Sequence, residues 1–176
     1  MIIIHQTKHH NLKGHEEDLK FPDGLPIAVG YVRTSSTDDV GRCSAHSQVQ
    51  GIVYTCDAKF PEGCHLVLVY DLGTSGYTWT PKGDDNRHRT MSSGLKMVAE
   101  LLEQGIAKHV FVRDISRISH SPFAIIEFSS ILDHAKACVV STYEGEFVPA
   151  SLAAAASTEC VLAALGLLAQ MTLEQS

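Results

Sequence analysis

The sequence predicts an α/β fold, a mostly parallel sheet of about four to five strands with flanking helices. Three observations lead there. Short apolar runs of strand length alternate with segments whose apolar residues recur at helical spacing. Two of those runs end in clusters of polar and charged side chains, where parallel sheets gather functional groups. A chain of 176 residues, 44% hydrophobic, suits one domain with a sizeable core.

Residues 1–26 stand apart. After Met1 and three isoleucines comes a polar stretch with His5, His9, His10 and His15. It lacks the apolar core of a signal peptide and reads as a solvated, flexible extension rather than a metal site.

From Ile27 the pattern becomes regular, and residues 27–150 read as the core of the domain. Ile27 to Val32 is a buried strand, residues 33–44 a polar loop, and residues 45–58 a helix turning Val49, Ile52, Val53 and Cys56 inward. Leu66 to Tyr70 is a second strand. Asp71 to Ser93, rich in Gly, Thr and charge, is a loop long enough to be either functional or disordered. A helix over Gly94 to Gln104 buries Leu95, Val98, Leu101 and Leu102.

Val110 to Val112 is the third strand. Ser121-Pro122 opens a helix, serine capping and proline in the first turn. It runs to about Lys136, with Ile125, Phe128, Ile131, Leu132 and Ala135 inside, and Ala137 to Thr142 follows as a fourth strand.

Residues 151–176 are apolar and alanine-rich. Ser157, Thr158 and Glu159 and the lack of a basic flank argue against a membrane span. A long helix with an exposed apolar stripe fits an oligomer interface better.

Composition limits the partners. Lys and Arg total 14 against 20 Asp and Glu, a formal charge of −6. A free-standing DNA-binding module carries a basic surface, which this chain lacks. Cysteines 43, 56, 64, 138 and 160, odd in number and scattered, read as reduced thiols in a cytoplasm. Cys56, Cys64 and His65 lack the fourth ligand and the spacing of a zinc site.

The chemistry concentrates at two strand ends. In the first, Gly30-Tyr31-Val32-Arg33-Thr34-Ser35, alternation sends Arg33 and Ser35 to the same side. A hydroxyl nucleophile then stands beside a planar, always-charged fork suited to phosphate. In the second, Val110 to Val112 leads to Asp114, with Arg117 and His120 at three-residue intervals.

Together these segments resemble the catalytic domain of the serine recombinases, the resolvase/invertase and large serine integrase family. Tyr31, Arg33 and Ser35 match its Tyr-x-Arg-x-Ser motif. Asp114 and Arg117 match the start of its Asp-x-x-Arg-x-x-Arg motif, and Ser44 with Gln48 matches the Ser…Gln pair that opens the first helix. The likeness spans about residues 27–174.

The resemblance implies a resolvase-like catalytic domain ending in a long C-terminal helix. Its activity would be site-specific DNA recombination, with Ser35 attacking a phosphodiester to leave a 5′-phosphoserine link and a free 3′ hydroxyl. Religation then needs neither ATP nor metal, and no cofactor. Arg33 and Arg117 would stabilise the transferring phosphoryl group, while Asp114 either positions Arg117 or takes part in proton transfer. His120, Arg89, Gln48 and Tyr31 are the expected DNA contacts.

The implied assembly is a homodimer or homotetramer through residues 151–176. DNA delivery falls to a separate or missing DNA-binding domain, since relatives append one after this helix and here the sequence stops at Ser176.

Two departures from the pattern bear on activity. His120 stands where the family has a second arginine, and near a free pKa of about 6.5 an imidazole is mostly neutral in a cytoplasm. Ser92 holds the spacing of the family's loop arginine before Gly94-Leu95, leaving Arg89, or Arg87, to fill that place from a longer loop. A resolvase-like module whose catalysis has decayed is therefore the alternative. A flavodoxin-like phosphate binder is a third, opposed by the scarcity of glycine between Arg33 and Gly41.

Overall fold

Strand β2 (Ile27–Thr34) runs through the middle of the sheet because seven of its eight residues are buried, which only a strand covered on both faces tolerates. The computed structural model describes residues 1–6, 21, 24–74 and 92–158. Strand β1 spans Ile2–Gln6, β3 Cys64–Leu72, β4 His109–Val112, β5 Cys138–Ser141 and β6 Gly145–Phe147. They form one six-stranded sheet in the order β1-β3-β2-β4-β5-β6, parallel except for the β5–β6 pair.

Alternation along β2 divides the core. Val29 and Tyr31 pack with helices α2 (Ser93–Glu103) and α3 (Pro122–Ala135), while Ala28 and Val32 pack with helix α1 (Asp39–Lys59). Gly30 lets α1 approach closely: a Cβ there would stand 2.7 Å from Leu68 and 3.0 Å from Ile52. The chain steps from β2 to β3 on one side, then crosses back over β2 to β4. That reversal sends α1 and α2 to opposite faces, as right-handed crossovers require. It also opens a crevice at the carboxyl ends of β2 and β4.

Three features differ from the sequence reading. Residues 2–6, expected within a flexible extension, form edge strand β1, in register with β3 from Ile2↔Cys64 to Gln6↔Leu68. Three consecutive β-branched residues suit such a strand, and the histidines that follow obscure the signal. Helix α1 begins six residues earlier than the apolar spacing suggests, because Asp38 caps it by accepting from the Gly41 amide at 2.9 Å. Strand β6, three residues in a tight hairpin, carries too little pattern to be seen beforehand.

Residues 149–158 are helical (α4) and bury Leu152 and Ala156 against the α2–α3 side. The remainder of the expected long helix, 159–176, lies outside the described residues, and among those described no helix is long and apolar enough to cross a membrane.

Candidate active site

The end of β2 is fixed from beneath by two buried side chains. Gln48 on α1 accepts from the Arg33 amide at 3.3 Å and donates to the Arg33 carbonyl at 3.0 Å. One amide group thus satisfies both backbone groups of Arg33. Tyr31 donates its hydroxyl to Asp71 Oδ2 at 2.7 Å and lies 3.3 Å from Ser92 Oγ. Burial, then the neighbouring Asp71 charge, pushes the Tyr31 phenol far above its usual range. Tyr31 and Gln48 are both 0% exposed, so in this conformation neither has surface to offer DNA, contrary to the sequence expectation for these two.

Arg33, 3% exposed, sends its guanidinium across to the second motif. Its Nε donates to the Arg117 carbonyl at 2.6 Å and its Nη2 to the Ser116 carbonyl at 2.5 Å. Nη1 reaches the Thr74 carbonyl at 3.4 Å, and Nη2 lies 3.5 Å from His120 Nε2. Burial first, with some help from the Arg117 charge, lowers the Arg33 pKa from its ordinary value.

The second motif leaves β4 as a single 3-10 turn, Ile115–Arg117, with Asp114 at its N-cap position. Asp114 accepts the Ser116 hydroxyl and pairs with Arg117, whose Nε stands 3.3 Å from Oδ1 and 3.2 Å from Oδ2. Arg117 Nη1 in turn approaches the Arg33 carbonyl at 3.5 Å. Arg113 adds a second cation 3.8 Å from Asp114 Oδ2.

Ser35 follows directly on β2, exposed, and its hydroxyl has no hydrogen-bond partner among the described residues. The structure therefore brings Ser35, Arg33, Asp114, Arg117 and His120 to one end of the sheet. Arg89 and Arg87 lie outside the described residues.

Asp71 is a site residue that sequence reasoning passed over. Buried at the end of β3, it accepts from Tyr31 and from the Gly94 amide at 3.0 Å, tying β2 to the start of α2. A Cβ on Gly94 would come within 2.8 Å of that carboxylate, so only glycine fits there. The signal was present: Asp71 ends an apolar strand as Asp114 follows one. Among the described residues no group of three or more His, Cys, Asp or Glu is arranged to hold a metal ion.

Residues 28–176 match the family described as Resolvase, N terminal domain. The fold is similar to that of a resolvase family site-specific recombinase from Streptococcus pneumoniae, at 12% identity and a TM-score of 0.58, covering 84% of this chain and 93% of that one. It is similar also to the N-terminal catalytic domain of TP901-1 integrase, at 16% identity and a TM-score of 0.56, covering 83% of this chain and 98% of the other. Among curated proteins, none matches the chain by sequence. At such identities the structural likeness speaks to the fold, and the sequence match over 149 of 176 residues speaks to ancestry. On that match, the chain belongs to the resolvase N-terminal domain family.

Proposed function

We propose that the chain is a serine recombinase catalytic domain in which Ser35 is the nucleophile. The observation that carries this reading is the exposed Ser35 hydroxyl two residues beyond Arg33, whose guanidinium is tied to the turn bearing Arg117. In the reaction, Ser35 Oγ forms a bond to phosphorus as the bond from phosphorus to the 3′ oxygen breaks. The serine proton leaves, and the departing oxygen takes one up. The 5′-phosphoserine ester holds the bond energy, so the 3′ hydroxyl of an exchanged strand reseals the DNA without ATP.

Arg117 meets the phosphoryl oxygens, oriented by its ion pair with Asp114. Arg33, turned into the protein, contributes its fixed charge from below and holds the Arg117 turn in place. His120 lies on the same side of Arg33 and takes the place of a second arginine. Gln48 and Tyr31 act as supports for the strand end rather than as DNA contacts, and Arg89 remains the loop cation of this scheme. Assembly is as a homodimer or homotetramer through residues 151–176, with the acidic domain brought to its site by a DNA-binding partner or domain.

The second reading, a resolvase-like module without catalysis, is favoured by one observation, the imidazole at position 120. Covalent capture separates the two. The full chain, fused to a DNA-binding module of known site, is mixed with labelled DNA carrying nicked centres of varied sequence. A denaturant-resistant protein–DNA band that vanishes with Ser35→Ala supports the recombinase. No band over a broad set of centres, while an active recombinase domain succeeds in the same fusion, sinks it in favour of the non-catalytic module.

A further inference from the structure

The 3-10 turn carrying Arg117 is gripped from its other side by the tight turn between β5 and β6. Glu144 Oε2 accepts the Ile115 amide at 3.0 Å and the Ser141 hydroxyl at 2.7 Å. Ser141 Oγ accepts in return from the Glu144 amide at 3.2 Å, which closes a small ring within the turn. Beside it, Thr142 donates its hydroxyl to the Arg113 carbonyl at 2.8 Å and its amide to the Val112 carbonyl at 3.0 Å. Residues 112, 113 and 115 are thus all held by residues 142 and 144.

Ile115 is the first residue of the turn, and the carbonyls of the next two, Ser116 and Arg117, receive the Arg33 guanidinium. Loss of the bond at Ile115 frees one end of the segment while Arg33 still pulls on the other. Rotation of so short a turn moves the Arg117 fork relative to Ser35. Displacements of about 1 Å in a catalytic group cost up to about a hundredfold in rate.

We propose that Glu144 is a positioning residue for phosphoryl transfer, setting the Arg117 turn through the Ile115 amide; this rests on the recombinase reading above. The working part is an oxygen acceptor, not a negative charge. A glutamine at 144 keeps that acceptor and an alanine removes it.

The test measures the first-order rate of covalent capture at saturating nicked DNA for wild type, Glu144→Ala and Glu144→Gln, with thermal midpoints and amide exchange at Ile115 recorded alongside. Glu144→Ala should slow capture by about tenfold or more. Its Ile115 amide should exchange faster, and its affinity for the site should be unchanged because the fused module supplies it. Glu144→Gln should restore both rate and protection to within about threefold. Capture by Glu144→Ala at the wild-type rate overturns the proposal while leaving Ser35 chemistry intact. Equal slowing in both variants overturns it too, since charge would then be what matters. A wild-type chain that forms no adduct sinks the recombinase reading, and the proposal falls with it.

Discussion

Arg33 and Arg117 each donate to the other's backbone carbonyl, Nε of the first to the second at 2.6 Å and Nη1 of the second to the first at 3.5 Å. Two like charges are thereby held together by the dipoles of the chain that carries them. Asp71, opposite Arg33 on β3, and Asp114, paired with Arg117, offset their repulsion. The two motifs, more than eighty residues apart in sequence, behave as one mechanical unit.

Stability should therefore depend unequally on the two arginines. Arg33→Ala leaves the carbonyls of Thr74, Ser116 and Arg117 without their donor inside the protein, at a cost of about 2–4 kcal/mol. Arg117→Ala removes a partly exposed ion pair and costs about 1 kcal/mol or less. Urea unfolding of both variants checks the ranking, and equal losses would contradict it.

Tyr31 links β2 to Asp71, and its phenol holds its proton more tightly in the folded state than in the unfolded chain. A raised folded pKa gives stability that is complete below the unfolded value of about 10 and fades as pH climbs beyond it. Thermal midpoints should fall above about pH 10, and Tyr31→Phe should flatten that decline. At neutral pH the same substitution leaves Asp71 short of a donor and costs about 1–3 kcal/mol.

On the recombinase reading, position 120 is where a substitution should change the rate. The His120 Nε2 lies 3.5 Å from Arg33 Nη2, on the edge of the arginine pair. His120→Arg should raise the capture rate by about tenfold or more, given that single transition-state donors are worth a hundred- to a thousandfold. An unchanged rate would show that position 120 does not face the phosphate.

The thiols should divide by burial. Cys43 is exposed on α1, whereas Cys56, Cys64 and Cys138 are buried, the first two with sulfurs 3.2 Å apart. Of these four described cysteines, Cys43 should be the first that an alkylating reagent modifies, as read by peptide mass analysis. Of the other three, Cys138 should resist partly because burial and the nearby Glu146 raise its thiol pKa to about 11. Prompt labelling of Cys56 or Cys64 in native protein would mean that the α1 side of the core opens.

Much of this was legible beforehand. Strands β2 and β4 and helices α2 and α3 follow from apolar spacing alone, because burial on both faces leaves continuous apolar runs. The motifs brought Ser35, Arg33, Asp114 and Arg117 to one place on paper, and the fold does the same. A motif does not say which way a side chain looks, however. Tyr31 and Gln48 belong to the recognised pattern, yet both are spent inside, on Asp71 and on the Arg33 backbone. Arg33 itself was expected at the phosphate, and only coordinates show which carbonyls compete for its donors. Asp71 and Glu144 act on backbone amides from distant segments, and that leaves no periodic trace in sequence.

Strand β1 has one more consequence. It pairs with β3 along the side that β2 does not cover, using up backbone groups of Cys64 to Leu68. A fragment trimmed to begin at Ile27 would bare that row, flanked by Leu66, Val67 and Leu68, as a flat template for any passing extended chain. Such a fragment would keep the candidate site's side chains on β2, β4 and the turn after it, and still precipitate or stack with its own copies. The leading isoleucines, far from the candidate site, leave the sheet ending in an edge strand of 5 residues rather than one of 9.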